Sequence, residues 1–181
     1  MPPTKGGFLL FADMRLRQLV GSIIIHGDKI LLQKRPEDGR LFGGFWTFAG
    51  GHMEHGEHNN ADVTCLREVH EETGFTDEDI KFMYLKYVTA RRKKDEIRMM
   101  YIYVLHMKAQ KAPWVTDEGA FYWHDISEIP HLKFSFVTEQ VLKHYLSQGY
   151  KDMIVMEGSV QLREQEPHLQ WHPIHQWDES K

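Results

Sequence analysis

The segment that most constrains this chain runs from Gly50 to Phe75 and reads GGHMEHGEHNNADVTCLREVHEETGF. Its second half predicts a helix from Asn60 to Thr73, because Ala61, Cys65, Leu66 and Val69 recur at helical spacing and form one apolar stripe. Asn60 stands where a side-chain oxygen would cap the first turn. Gly74 stands where a left-handed residue would close the last. The same helix carries Glu68, Glu71 and Glu72 at i, i+3 and i+4, so three carboxylates share a face. Like charges at this spacing repel by about 0.2–0.5 kcal/mol per pair on an isolated helix. A solvated acidic face is one outcome. The other is a site for hard divalent cations, which prefer oxygen ligands and keep waters that phosphates can replace. The flanks favour the cation. Gly50-Gly51 ends a short strand, where a backbone carbonyl can approach an ion with no side chain in the way, and Glu57 follows in a Gly-Glu pair.

The rest of the chain predicts an α+β protein, mixed strands with a few helices packed on them. Strand-like runs at Leu19–Ile25 and Lys29–Lys34 flank a Gly27-Asp28 turn, a hairpin signature. Residues 35–44 read as loop, and Phe45 to Phe48 as a short aromatic strand. Two β-rich runs, about 81–90 and 98–107, predict a long hairpin with ARRKKDEI as its charged tip. Phe121 to Trp123 predicts another strand, Ile126 to Ile129 a helical turn, and residues 136–148 a second amphipathic helix. The last thirty residues are polar and histidine-rich, with a strand expected near Met153 to Met156.

Composition narrows the function. Hydrophobic residues make up 41% of the 181, enough for one domain with a short extension. The net charge of -4 offers no broad cationic field for a nucleic-acid polymer. The single cysteine, Cys65, excludes an intrachain disulfide and a cysteine zinc site, and its place on the apolar stripe predicts a buried, inert thiol. The early apolar run Phe8 to Ala12 is too short for a signal-peptide core or a membrane span, so a cytoplasmic protein without a membrane partner is expected.

The central segment resembles the Nudix hydrolase family, whose box runs Gly, five residues, Glu, seven residues, then Arg-Glu-apolar-x-Glu-Glu-x-Gly-apolar. Here Gly51, Glu57 and the run Arg67-Glu68-Val69-His70-Glu71-Glu72-Thr73-Gly74-Phe75 supply every fixed residue. One spacing departs, since nine residues separate Glu57 from Arg67. Asn60 keeps the capping position, so the two extra residues are expected in the loop around His58-Asn59, leaving the helix in register and loosening Glu57's link to Arg67. The resemblance covers roughly residues 17–148. It implies the Nudix fold, an α/β/α sandwich around a mixed sheet, with residues 1–13 a lead-in, 14–150 the domain and 151–181 a C-terminal extension. It also implies a magnesium-dependent hydrolase, manganese being the alternative, that cuts a phosphoanhydride bond in a nucleoside diphosphate derivative. Glu71 and Glu72 would be the main metal ligands, with the Gly50 carbonyl. Glu68 would bind metal through water or act as general base, a role Glu71 takes in some relatives, and Arg67 would orient the glutamates. Glu118 is the expected extra acid from a later loop, with Asp117 and Glu96 behind it. Ala49 replaces the proline of the family's usual approach to the glycines.

Arg35, Arg40 and Phe48 are candidate substrate contacts, and Gly51 and Glu57 support the site from behind. The basic run Arg91 to Lys94 reads as a solvated turn or a phosphate contact. The tail histidines His168, His172 and His175 read as polar surface rather than a metal site. Trp171 and Trp177 suggest that the tail docks on something, a second subunit making a homodimer among the options. Signatures of the family's NADH, ADP-ribose and coenzyme A hydrolases are missing or partial. The position of the ADP-ribose proline is Arg91, and Leu31-Leu32-Gln33-Lys34-Arg35 matches only the start of the coenzyme A element. That leaves a nucleoside triphosphate pyrophosphohydrolase, oxidised nucleotides included. The alternatives are a hydrolase of another nucleotide conjugate (ADP-ribose, dinucleoside polyphosphate, coenzyme A or nucleotide sugar) and a non-catalytic ligand-sensing module. An isopentenyl diphosphate type isomerase would need a reactive cysteine upstream, and Cys65 is on the box helix instead.

Overall fold

The apolar run Ile23-Ile24-Ile25 identifies a sheet covered on both faces, because successive strand residues point to opposite sides. All three are buried. Ile24 joins one core with Val20, Leu31 and Leu105, whereas Ile23 and Ile25 join another with Ile30, Leu32, Ile102 and Val104. Full burial of each such side chain contributes about 1.5–3 kcal/mol. The computed structural model describes residues 14–37, 42–113, 115–116 and 119–176.

In chain order the strands are β1 (Arg15–His26), β2 (Lys29–Lys34), β3 (Trp46–Thr47), β4 (Ile80–Lys93), β5 (Glu96–Met107), β6 (Val115–Thr116), β7 (Gly119–Asp125), β8 (Met156–Arg163), β9 (Glu166–Leu169) and β10 (His172–Pro173). Helix α1 (Ala61–Thr73) lies between β3 and β4, and α2 (Phe136–Ser147) between β7 and β8. The sheet order is β10-β8-β4-β5-β1-β2-β7-β6, with β3 on β2 and β9 on β8. It is mixed: β1 runs parallel to β5 and antiparallel to β2. Cys65 and Val69 of α1 fill the first core, and Val141, Leu142 and Tyr145 of α2 fill the second. Among the described residues no helix is long and apolar enough to cross a membrane.

The hairpin at Gly27-Asp28 forms as expected, with His26 opposite Lys29. Pairing between β1 and β2 then stops after Leu31, and the strands splay. The chain from Ala49 to His52 fills the gap, bridging Ser22 to Ala49 and Leu19 to His52. This insertion brings the two central glycines beside α1.

Three expectations need correction. The β4–β5 hairpin has no long charged tip, because pairing continues to Lys93 opposite Glu96 and the basic residues Arg91 to Lys93 lie on the strand. Cross-strand hydrogen bonds hold it that far despite the charge. Asn60 occupies the cap position but makes no side-chain cap bond, since its ψ of 58° lies outside the extended region that such a cap needs. The polar tail docks, as Trp171 suggested, but on this same chain. Its strand begins at Met156, and β8 pairs in parallel with β4 while Trp171 packs on Tyr87 and His144 of the same chain, with ring centroids 4.7 and 5.5 Å away. Lys86, only 1% exposed, fastens the connection by donating to the Asp152 and Ile154 carbonyls and the Asp152 carboxylate.

Candidate active site

Helix α1 ends at Gly74, whose φ of 74° is left-handed and whose N–H donates to the His70 carbonyl. Within the helix, Cys65 and Val69 face the core, which turns Arg67, Glu68 and Glu71 towards the loop ahead of it. Arg67 is the centre. Its Nε and Nη2 donate to the two Glu57 carboxylate oxygens at 2.9 and 3.0 Å, a paired fork. Its Nη1 donates to Glu68 at 3.0 Å and to Glu71 at 2.9 Å. The same Nη2 reaches the His52 carbonyl at 3.2 Å.

Glu57 was expected to be loosely tied and is instead held by both ends of the Arg67 fork. Residues 54–60 fold into successive turns, with the Glu57 N–H donating to the Glu54 carbonyl and the Asn60 N–H to that of Glu57. The Glu57 carboxylate also accepts from the Glu54 N–H and the Thr64 hydroxyl. The Arg67 fork, with those donors, holds its carboxyl well below the usual range, at about 2. Arg67 is correspondingly raised, chiefly by Glu57.

The glycines shape the other side. Ala49 and Gly51 turn their carbonyls to β1, accepting from Ser22 and Val20. Gly50, between them, donates its N–H to buried Glu72 at 2.8 Å. Gly50 has a φ of 144°, and an added Cβ would lie 2.3 Å from the Val20 carbonyl oxygen. At Gly51 a Cβ would lie 2.6 Å from both Glu68 carboxylate oxygens. Glu68 therefore sits in space that only glycine leaves open.

Other candidates fall elsewhere. Phe48 is 6% exposed and packs in the α2-side core. Arg35 is exposed just after β2, its N–H donating to the Phe45 carbonyl and its own carbonyl accepting from Gly44. Glu96 is buried between Arg17 and Arg98, and its ion pairs are with these arginines rather than with Arg67. Arg40, Asp117 and Glu118 lie outside the described residues. Cys65 is 1% exposed, and burial pushes its thiol up to about 12, as an inert core cysteine requires. Two participants had not been singled out, Thr64 and His52. Thr64 lies one helical turn before Arg67, so helical spacing alone could have flagged it. His52 takes part through its backbone carbonyl, which no side-chain pattern reveals.

Residues 15–145 match the NUDIX domain family model. The chain belongs to the Nudix family. Its relatives include the uncharacterized Nudix hydrolase YvcI of Bacillus subtilis (strain 168), 27% identical over 119 residues, which cover 65% of this chain and 71% of that protein. Two solved structures share the fold. The MutT protein of Bacillus halodurans superposes with a TM-score of 0.63 at 22% identity, covering 86% of this chain and 97% of its own. The NUDIX domain of Shewanella oneidensis NrtR, complexed with ADP ribose, gives 0.60 at 17% identity, covering 74% and 88%. This Nudix hydrolase acts on phosphorus-containing acid anhydrides, and the family's general reaction is pyrophosphate-bond hydrolysis in small nucleotide derivatives.

Nudix hydrolases are generally dependent on a divalent metal. The donor set fits one, because Glu68, Glu71, Glu72 and the Gly50 carbonyl offer only oxygen. Among the described residues no three His, Cys, Asp or Glu side chains are already arranged around a single ion position. Arg67 supplies the counter-charge to Glu68 and Glu71.

Proposed function

We propose that this Nudix hydrolase is a magnesium-dependent nucleoside triphosphate pyrophosphohydrolase, with manganese as the alternative ion and oxidised nucleotides among its substrates. The observation that carries the reading is the gathering of Glu57, Glu68 and Glu71 on Arg67, with Glu72 tied to Gly50 beside them. Glu68, Glu71, Glu72 and the Gly50 carbonyl would hold the ion. Bound there, a divalent cation would neutralise phosphate oxygens and make a water more acidic. Glu68 or Glu71 takes the proton from the attacking water. Arg67 keeps both carboxylates in place, and Glu57 keeps Arg67 in place. The Gly51 gap fixes where the Glu68 carboxylate sits.

Likeness in fold to the E. coli dihydroneopterin triphosphate pyrophosphohydrolase, with a TM-score of 0.57 at 18% identity, supports a triphosphate substrate. A second reading, ADP-ribose hydrolysis, has the likeness to the NrtR domain solved with ADP ribose in its favour. Arg91, where hydrolases of that class carry proline, favours the first.

Purified protein with Mg²⁺ should be screened against nucleoside triphosphates, oxidised forms, ADP-ribose, dinucleoside polyphosphates, coenzyme A and nucleotide sugars, scoring phosphate and pyrophosphate release. Pyrophosphate release from triphosphates is expected. Turnover of ADP-ribose alone would establish the second reading, and a fully active Glu71→Gln variant would remove Glu71 from the site.

A further inference from the structure

Three arginines stand in one row across three adjacent strands. Arg17 of β1 is in register with Arg98 of β5, and Arg98 with Arg91 of β4. Residues paired this way project to one face with Cβ atoms about 5 Å apart. The face is the α2 side. Gly21, four positions along β1 from Arg17, would direct a Cβ at Phe48, Met100 and Ile102 of that core. The core closes over the row Gly21–Ile102–Tyr87. The arginine row lies four residues farther out on all three strands, roughly 13 Å along them.

Among the described residues one carboxylate pairs with the row. Glu96 accepts from Arg17 Nε at 3.0 Å and from Arg98 Nε, so it aligns two guanidinium planes, and among the described residues Arg91 has no ion pair. Three positive charges thus face one negative charge. Like charges directly opposed on neighbouring strands are destabilising, so the arrangement is unfavourable in the absence of an anion.

The row also connects to the hydrolytic site. The His52 ring accepts from Arg17 Nη1 at 3.1 Å, and the His52 carbonyl accepts from Arg67 Nη2 at 3.2 Å. A single residue therefore separates the arginines from the centre that holds the glutamates.

We propose that Arg17, Arg98 and Arg91 form a phosphate subsite for a phosphate group of the substrate lying beyond the bond that is cut. The location of that bond rests on the function proposed above. Guanidinium groups suit the role because each presents paired N–H donors to two phosphate oxygens and stays charged at every working pH. The substrates selected would be those with one more phosphate than the cleavage itself requires, on a lengthened polyphosphate or as a phosphomonoester.

The test uses the full chain and the variants Arg91→Gln and Arg98→Gln. Steady-state constants are measured for nucleoside di-, tri- and tetraphosphate, and for ADP-ribose against its 2′-phosphate, which separates the polyphosphate source from the monoester source. In one of these series the wild type should show a KM about tenfold lower for the added phosphate, the size of a charge-assisted hydrogen bond. Both variants should erase that advantage while kcat stays within about twofold. Metal-free calorimetry with tripolyphosphate should show binding that weakens about tenfold in each variant and falls with salt. Arg91→Gln should melt no lower than the wild type, because it removes a like-charge neighbour; a lower melting temperature with unchanged KM would assign the row a structural role and overturn the subsite. Equal tripolyphosphate binding by wild type and variants would overturn it too. Arginine-dependent tripolyphosphate binding by a wild type that hydrolyses nothing would leave the subsite standing and remove the hydrolase reading instead.

Discussion

Arg67 and Glu57 meet through two guanidinium nitrogens and both carboxylate oxygens, at 2.9 and 3.0 Å, across ten positions of sequence. This fork anchors the guanidinium from behind while its remaining edge holds Glu68 and Glu71. Positioning of the glutamates therefore begins outside the helix that carries them.

Replacing Glu57 with Gln removes the charge that anchors Arg67. Activity should fall by about tenfold or more, with the fold retained by circular dichroism. The pH dependence gives a second readout. The Glu57 carboxyl titrates at about 2 in the fold, against an ordinary 4.5. A depressed folded pKa contributes stability that is fully present above 4.5 and is lost as pH falls towards about 2. Denaturant unfolding should show a wild-type advantage over Glu57→Gln that is constant from neutral pH to about pH 5 and shrinks below it. An advantage that grew on acidification would contradict the fork.

The neighbouring glycines should fail in different ways. Gly51→Ala puts a methyl where the Glu68 carboxylate lies, so activity should drop by on the order of a hundredfold with little loss of stability. Gly50→Ala meets backbone at 2.3 Å from a φ of 144°, so it should lose about 1–3 kcal/mol of stability. Paired melting curves and rate constants distinguish the two.

Lys86→Met should loosen the tail. It leaves the Asp152 and Ile154 carbonyls without their buried donor, a change worth about 1–3 kcal/mol. Hydrogen exchange should rise from residue 152 through β8 to β10 while α1 stays protected. Uniform exchange along the chain would show that the tail does not depend on this contact.

Cys65 should be silent to alkylation at pH 8 in the folded protein and react fully once denatured, because burial holds the thiol near 12. Rapid labelling of the native chain would show that α1 opens far more readily than its packing indicates.

The sequence alone was enough to determine the box helix, its glycine stop and the sharing of one face by three glutamates, because these depend on a 3.6-residue period and on local backbone freedom. The two-faced sheet was legible for the same kind of reason, as Ile23 to Ile25 leave no polar side. Only the tertiary structure decided what the polar tail does. A strand such as β8, with mostly exposed residues, carries little apolar alternation, and its place is set by hydrogen bonds to β4 and by Lys86. It also decided how firmly Glu57 holds Arg67, since two extra loop residues could have tightened or loosened the fork and local spacing cannot distinguish the two. The arginine row was equally invisible. Arg17 and Arg98 stand eighty-one positions apart and become neighbours only through the β1–β5 register, a parallel pairing whose alignment no local signal specifies.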